Sequence, residues 1–179
     1  MPTQLHLQEV LNFKENWESA LKSHFSELGF TDIFTSTDEG DMPDDMLEII
    51  FNLAGQDGVG ACPAQQTGTG NSEACYYNGT IEITLAVLRL QDNGTSRPPT
   101  TGSFKNLLTE RACLIKYGML AGALVGGMNG LSGLSLPYYD FRYMNLTGEE
   151  YGVTEEYVKD TAQLTYSLGF AIRGDAWKG

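Results

Sequence analysis

The chain reads as a single α+β domain, a mixed and mostly antiparallel sheet with two main helices packed on it. Three stretches carry that reading. From Leu164 to Ile172 every second residue is large and apolar (Leu164, Tyr166, Leu168, Phe170, Ile172), while Thr165, Ser167, Gly169 and Ala171 between them are small. That period of two belongs to a strand with one large and one small face. From Ile81 to Val87 the alternation recurs, with Ile81, Ile83, Leu85 and Val87 set against Glu82, Thr84 and Ala86. From Leu7 to Leu28, by contrast, the apolar residues Leu7, Val10, Leu11, Trp17, Leu21, Phe25 and Leu28 recur mostly at threes and fours, the spacing of an amphipathic helix.

The elements follow in the order helix, strand, strand, strand, helix, strand, strand. The first helix spans Leu7 to Leu28, and Gly29 follows where a left-handed C-terminal residue is expected. Thr31 to Ser36 is a short strand. An acidic loop, Asp38-Glu39-Gly40-Asp41-Met42-Pro43-Asp44-Asp45, separates it from a second strand at Met46 to Leu53. Gly55 to Asn71 holds five glycines and little that would fill a core, so a flexible loop near 55–72 is expected. The third strand runs from Gly79 to Leu90, with Asn78-Gly79 and Asn93-Gly94 read as turns at its two ends. Arg97-Pro98-Pro99 breaks the chain and Ser103 is placed to cap a second helix through Phe104, Leu107, Leu108, Leu114, Ile115 and Met119, ending near Gly126. A second flexible loop is expected near 126–135. Leu136 to Leu146, with Pro137 at its start and Tyr138, Tyr139, Phe141 and Tyr143 clustered, reads as a strand. Gly148 to Lys159 reads as a polar, acidic connection to the closing strand.

At 179 residues one domain typically buries roughly 70% of its unfolded surface, so a hydrophobic core suffices without staples. The three cysteines, Cys62, Cys75 and Cys113, do not form a disulfide framework, and a reducing compartment is the simpler expectation; a Cys62–Cys75 pairing across the Gly-rich loop stays open. A net charge of −12, from eleven Lys and Arg against twenty-three acids, argues against nucleic-acid binding by phosphate neutralisation but suits a wall past which DNA slides unbound. Met-Pro-Thr-Gln-Leu-His lacks the basic and apolar regions of a signal peptide. Tyr117 to Leu136 carries no charge and contains Gly118-x-x-x-Gly122-x-x-x-Gly126, a spacing used by packed membrane helices. Its six glycines, Asn129, Ser132 and Ser135 favour a helix followed by a loop over a membrane span.

No constellation of residues calls for catalysis. His6 and His24 lie about five helical turns apart and cannot share a metal within one subunit. Phosphate-cradling, nucleophile-elbow and Cys-x-x-Cys motifs are missing from the sequence. The acidic run Asp38, Glu39, Asp41, Asp44, Asp45 does not have calcium-loop spacing and reads as a solvated turn. Glu155 and Glu156 are merely adjacent. Three Asn-x-Thr patterns need a secretory route for glycosylation. Arg173-Gly174-Asp175 matches an integrin-binding tripeptide, but three residues carry little information and the match reads as chance, with Gly174 turning the chain out of its strand.

The element order, Leu136-Pro137-Tyr138-Tyr139 leading into a strand, and the ending Leu164-x-Tyr166-x-Leu168-x-Phe170-x-Ile172-Arg173-x-Asp175-Ala176-Trp177 together resemble the tail terminator, or tail completion, proteins of tailed bacteriophages and prophages. The resemblance covers most of the chain as topology and only these last segments as residues. It implies a structural virion protein without catalysis or cofactor. Its subunits would close into a hexameric ring at the head–tail junction of the virion, after assembly in the host cytoplasm. The implied partners are the tail tube protein and the head–tail connector protein, with DNA passing through unbound and no membrane involved. The Gly55 to Asn71 loop and the Gly126 to Gly133 segment depart from the family pattern as local insertions. A cyclic assembly needs two different complementary patches on each subunit. The candidates are Leu88 and Leu90, which leave the alternation of their strand, the small face Thr165, Ser167, Gly169 and Ala171, and Trp177 in the aromatic tail. A tail tube or head-closure protein is the neighbouring alternative. A secreted adhesion module using Arg173-Gly174-Asp175 is the alternative from another class.

Overall fold

The closing strand lies inside a five-stranded sheet, with a neighbour on either side. The structure, a computed structural model, describes residues 12–41, 43–53, 75–90, 94–120, 139–154 and 159–172. It is one mixed α+β domain with the elements α1 (Phe13–Glu27), β1 (Ile33–Thr35), β2 (Met46–Leu53), β3 (Cys75–Leu88), α2 (Leu107–Gly118), β4 (Tyr139–Thr154) and β5 (Lys159–Ile172). The sheet order is β1-β2-β3-β5-β4, with β1 parallel to β2 and every other pair antiparallel. The expected order of elements and the mixed, mostly antiparallel sheet are both observed.

Both helices pack on one face of the sheet. On α1, Phe13, Trp17, Leu21 and Phe25 are buried at intervals of four residues, so they line one side of the helix. They meet Leu47, Ile49 and Phe51 of β2, Ile81, Ile83 and Leu85 of β3, and Leu164, Tyr166, Leu168 and Phe170 of β5 in a single core. Phe170 is its aromatic centre, with ring centroids of Trp17 at 5.4 Å, Phe13 at 5.5 Å, Tyr77 at 5.6 Å and Phe51 at 6.3 Å. Truncating such a fully enclosed aromatic typically costs about 3–5 kcal/mol. The large face of the closing strand is therefore core, as its alternation requires.

The helices are joined at their C-terminal ends. His24 is buried and its Nε2 lies 2.9 Å from the Gly118 carbonyl oxygen, to which it donates. A side chain on Gly118 would put its Cβ 2.7 Å from Leu28 Cδ1 and 3.0 Å from the Phe25 ring, so glycine there lets α1 and α2 approach closely without displacing those side chains.

Several element boundaries differ from expectation. The N-cap of α2 is Asn106, whose side chain accepts from the Thr109 amide at 2.8 Å, and not Ser103. Glu110 holds Thr100 and Thr101 through their amides and hydroxyls, which keeps residues 100–105 in turns ahead of the helix. At its other end α2 stops at Gly118 with Met119 as C-cap, rather than near Gly126. Asn78-Gly79 lies within β3 and is no turn: a Cβ on Gly79 would sit 2.9 Å from the Phe51 ring, which occupies that space. Gly94 does occupy a turn conformation, at φ 79°. Most consequentially, the polar segment after Leu146 continues β4 as far as Thr154. An edge strand needs no apolar alternation, because only one side is paired and much of it faces water. The expected loops near 55–72 and 126–135, and a Cys62–Cys75 pairing, lie outside the described residues.

Candidate functional site

With both helices on one face, the other face of the sheet has no described element over it. Its side chains form rungs across four strands: Asn52, Thr80, Ser167 and Asn145 in one, Ile50, Glu82, Thr165 and Gly148 in the next, Glu48, Thr84, Gln163 and Glu150 in the next. These residues alternate with the buried set, so they point away from the core. The face is polar, small-featured and acidic, carrying the carboxylates of Glu48, Glu82 and Glu150.

The small residues of β5 are matched by β4. Tyr143 lays its ring over Gly169, where a Cβ would come within 2.3 Å of the ring, and its hydroxyl donates to Asn78 Oδ1 of β3 at 3.2 Å. Opposite Thr165 and Thr161 the situation is reversed, and the glycines belong to β4. Cβ atoms on Gly148 and Gly152 would lie 3.4 Å from Thr165 Cβ and 2.8 Å from Thr161 Oγ1. Thr147 Oγ1 also donates to the Thr165 carbonyl at 3.1 Å. The pairing slips at two bulges, between Phe141 and Tyr143 and between Leu146 and Gly148, devices that twist an edge strand and interrupt its pairing.

The sequence-predicted interface residues divide accordingly. Thr165 and Ser167 are half-buried on the face opposite the helices, whereas Gly169 is buried beneath Tyr143 within the subunit. Ala171 pairs with Tyr76 and Asp140 at the end of β5. Leu88 ends β3, with its amide donating to Asp45 Oδ1 and its carbonyl accepting from Arg97 Nη1 at 3.3 Å. Leu90 is half-buried and bridges to Ser96. Leu88 and Leu90 thus lie at one end of the sheet, while Thr165 and Ser167 lie in its middle. Trp177 and the Arg173-Gly174-Asp175 tripeptide are outside the described residues.

Tyr143, Leu146 and Tyr151 along β4, and Tyr117 and Leu120 at the end of α2, are exposed large apolar side chains. Three of the five lie on β4, an edge strand, where exposed apolar groups and an unpaired backbone edge suit contact with a neighbour. On its helix side, Glu149 accepts from Lys116 Nζ of α2 and from the Tyr151 hydroxyl. The Lys116 hydrogen bond, aided by that of Tyr151, holds the Glu149 carboxyl below the usual carboxylate range. Burial, and then the nearby Glu149, push the Tyr151 phenol up. Burial alone would pull the Lys116 ammonium down, yet its bonds to Glu149 and Tyr151 raise it overall.

The described part of the acidic loop is exposed apart from half-buried Asp45, and three of its carboxylates have ion partners. Asp38 pairs with Lys22 at 2.9 Å, Asp44 with Lys159 and Asp45 with Arg97, while Glu39 and Asp41 stay exposed. Sequence reasoning also missed Glu18, which is buried on α1. Its Oε2 accepts from the Ser36 amide at 3.1 Å and hydroxyl at 2.6 Å, and its Oε1 from the Phe51 amide at 3.0 Å. β1 covers the edge of β2 only as far as Ile49, so the carboxylate satisfies the next amide on that edge. The signal was present: Glu18 falls within the stripe of Leu21 and Phe25.

Among the described residues no group of three or more His, Cys, Asp or Glu side chains converges on a metal position, and no helix is long and apolar enough to cross a membrane. The chain matches no protein-family model. No curated protein matches it either.

Proposed function

We propose that the chain is a structural subunit of a ring, of the tail-terminator kind it resembles, that caps a phage tail tube and joins it to the head connector. In that role it ends tail polymerisation, lets DNA pass and performs no catalysis. The observation that most supports this reading is the one-sided packing among the described residues: both helices lie on one face of the sheet, no described element lies over the polar face opposite, and the long, partly apolar β4 is an edge strand. The charge of −12 supports it further, since an acidic lumen repels phosphates and leaves DNA free to slide. Its site would be the virion's head–tail junction, reached from the host cytoplasm, with the tube and connector proteins as partners.

Electron microscopy of the purified protein tests the proposal. Discrete closed rings, hexameric by the resemblance, are expected. Long tubes would favour a tube protein instead, and a monomer at high concentration that also fails to cap purified tail tubes would refute the proposal.

A further inference from the structure

Against its acidic surface, the molecule gathers cations at one place. Arg89, Arg97 and Lys105 line a cavity of about 520 Å³ between the end of β3, the Pro98-Pro99 segment and the start of α2, in which Asp160 is the one lining carboxylate among the described residues. Arg89 directs Nε and Nη2 to Asp160 Oδ1 at 3.0 and 2.8 Å. Arg97 spends Nη1 on Asp45 and the Leu88 carbonyl. Lys105 is exposed and has no ion pair among the described residues. The lining therefore keeps a positive excess, in a chain with only eleven Lys and Arg.

The same chain carries the complementary feature. In the loop between β1 and β2, internal cations engage Asp38, Asp44 and Asp45, whereas Glu39 and Asp41 are exposed and without an ion pair among the described residues. Gly40 between them has φ 132°, a conformation side-chain-bearing residues rarely adopt. A ring needs two unlike patches on each subunit, and a cationic hollow with an acidic loop meets that requirement electrostatically.

We propose that the Arg89–Arg97–Lys105 cavity receives the Glu39–Asp41 loop of a neighbouring copy, an inference that rests on the ring reading. Sedimentation of the full chain tests it, comparing the unmodified protein, Lys105→Glu, and the double variant Glu39→Lys/Asp41→Lys, alone and mixed. All three positions are exposed, so folding is checked by an unchanged unfolding midpoint. Each charge reversal is expected to weaken self-association about tenfold or more. Mixing the two variants should restore it, since native patches then pair with native ones and reversed with reversed. The unmodified protein should also associate more weakly at high salt. Equal association by Lys105→Glu, or no recovery on mixing, overturns the inference while leaving the ring intact. An unmodified chain that never self-associates, alone or on purified tail tubes, overturns both.

Discussion

Replacing Glu18 with alanine tests how the first helix is fastened to the sheet. The change removes an acceptor for three hydrogen bonds, from the Ser36 amide and hydroxyl and from the Phe51 amide. The Phe51 amide is buried with that carboxylate, and leaving such a donor unpaired costs about 1–3 kcal/mol. Ser36 is exposed and its groups rehydrate, so their loss adds only about 1 kcal/mol. A total near 2–4 kcal/mol is expected, a large share of a typical domain's stability. Glu18→Gln should lose less, because its amide retains one acceptor oxygen for the two sides. Urea unfolding followed by circular dichroism measures both, with exposed Glu27→Ala as a control that stays within about 0.5 kcal/mol. If Glu18→Ala unfolds within that same margin, the carboxylate does not anchor α1 and the reasoning fails.

Gly169→Ala should destabilise by about 1–3 kcal/mol through collision with the Tyr143 ring, and the cost should largely vanish in a Tyr143→Ala background, read as the coupling term of a double-mutant cycle. At alkaline pH, burial raises the Tyr166 phenol above its ordinary 10.0. The unfolded chain then loses that proton first, so stability should fall as pH rises past about 10, and Tyr166→Phe should flatten the fall. At acid pH the sign reverses. Hydrogen bonds from Lys22 and Thr35 lower the Asp38 carboxyl, those from Thr100 and Thr101 lower Glu110, and that from Lys116 lowers Glu149. The stability these groups contribute is present above the unfolded carboxylate range and should be lost as pH falls below about 4; an unfolding midpoint independent of pH there would contradict the assignments.

Buried strands were legible because burial imposes alternation. In β2 the odd residues Leu47, Ile49 and Phe51 face the core and the boundaries Met46–Leu53 are those the pattern gives. In β5 the large residues from Leu164 onward mark the core face. The strand nevertheless starts five residues earlier, at Lys159, where Asp160 and Thr161 lie close to the cavity and the sheet end and carry no apolar signal. β4 hid for the same reason: it is an edge strand, and beyond Leu146 its polar, acidic residues read as a connection, while Gly148 and Gly152 make room for threonines of β5. The small face of β5 was legible as small but not as occupied, because whether a neighbour such as Tyr143 fills it depends on register across strands far apart in sequence. Ion pairs such as Asp45–Arg97 and Lys116–Glu149 escaped for that reason too. Composition counts charges without saying which meet.

Native mass spectrometry of the purified chain over a range of concentrations tests ring assembly most directly. The account predicts a single closed species at a fixed multiple of the 19.6 kDa subunit, six by the resemblance, with no larger series as concentration rises. A chain that grows through an unbroken ladder of oligomers, or that remains monomeric even when purified tail tubes are added, would contradict it.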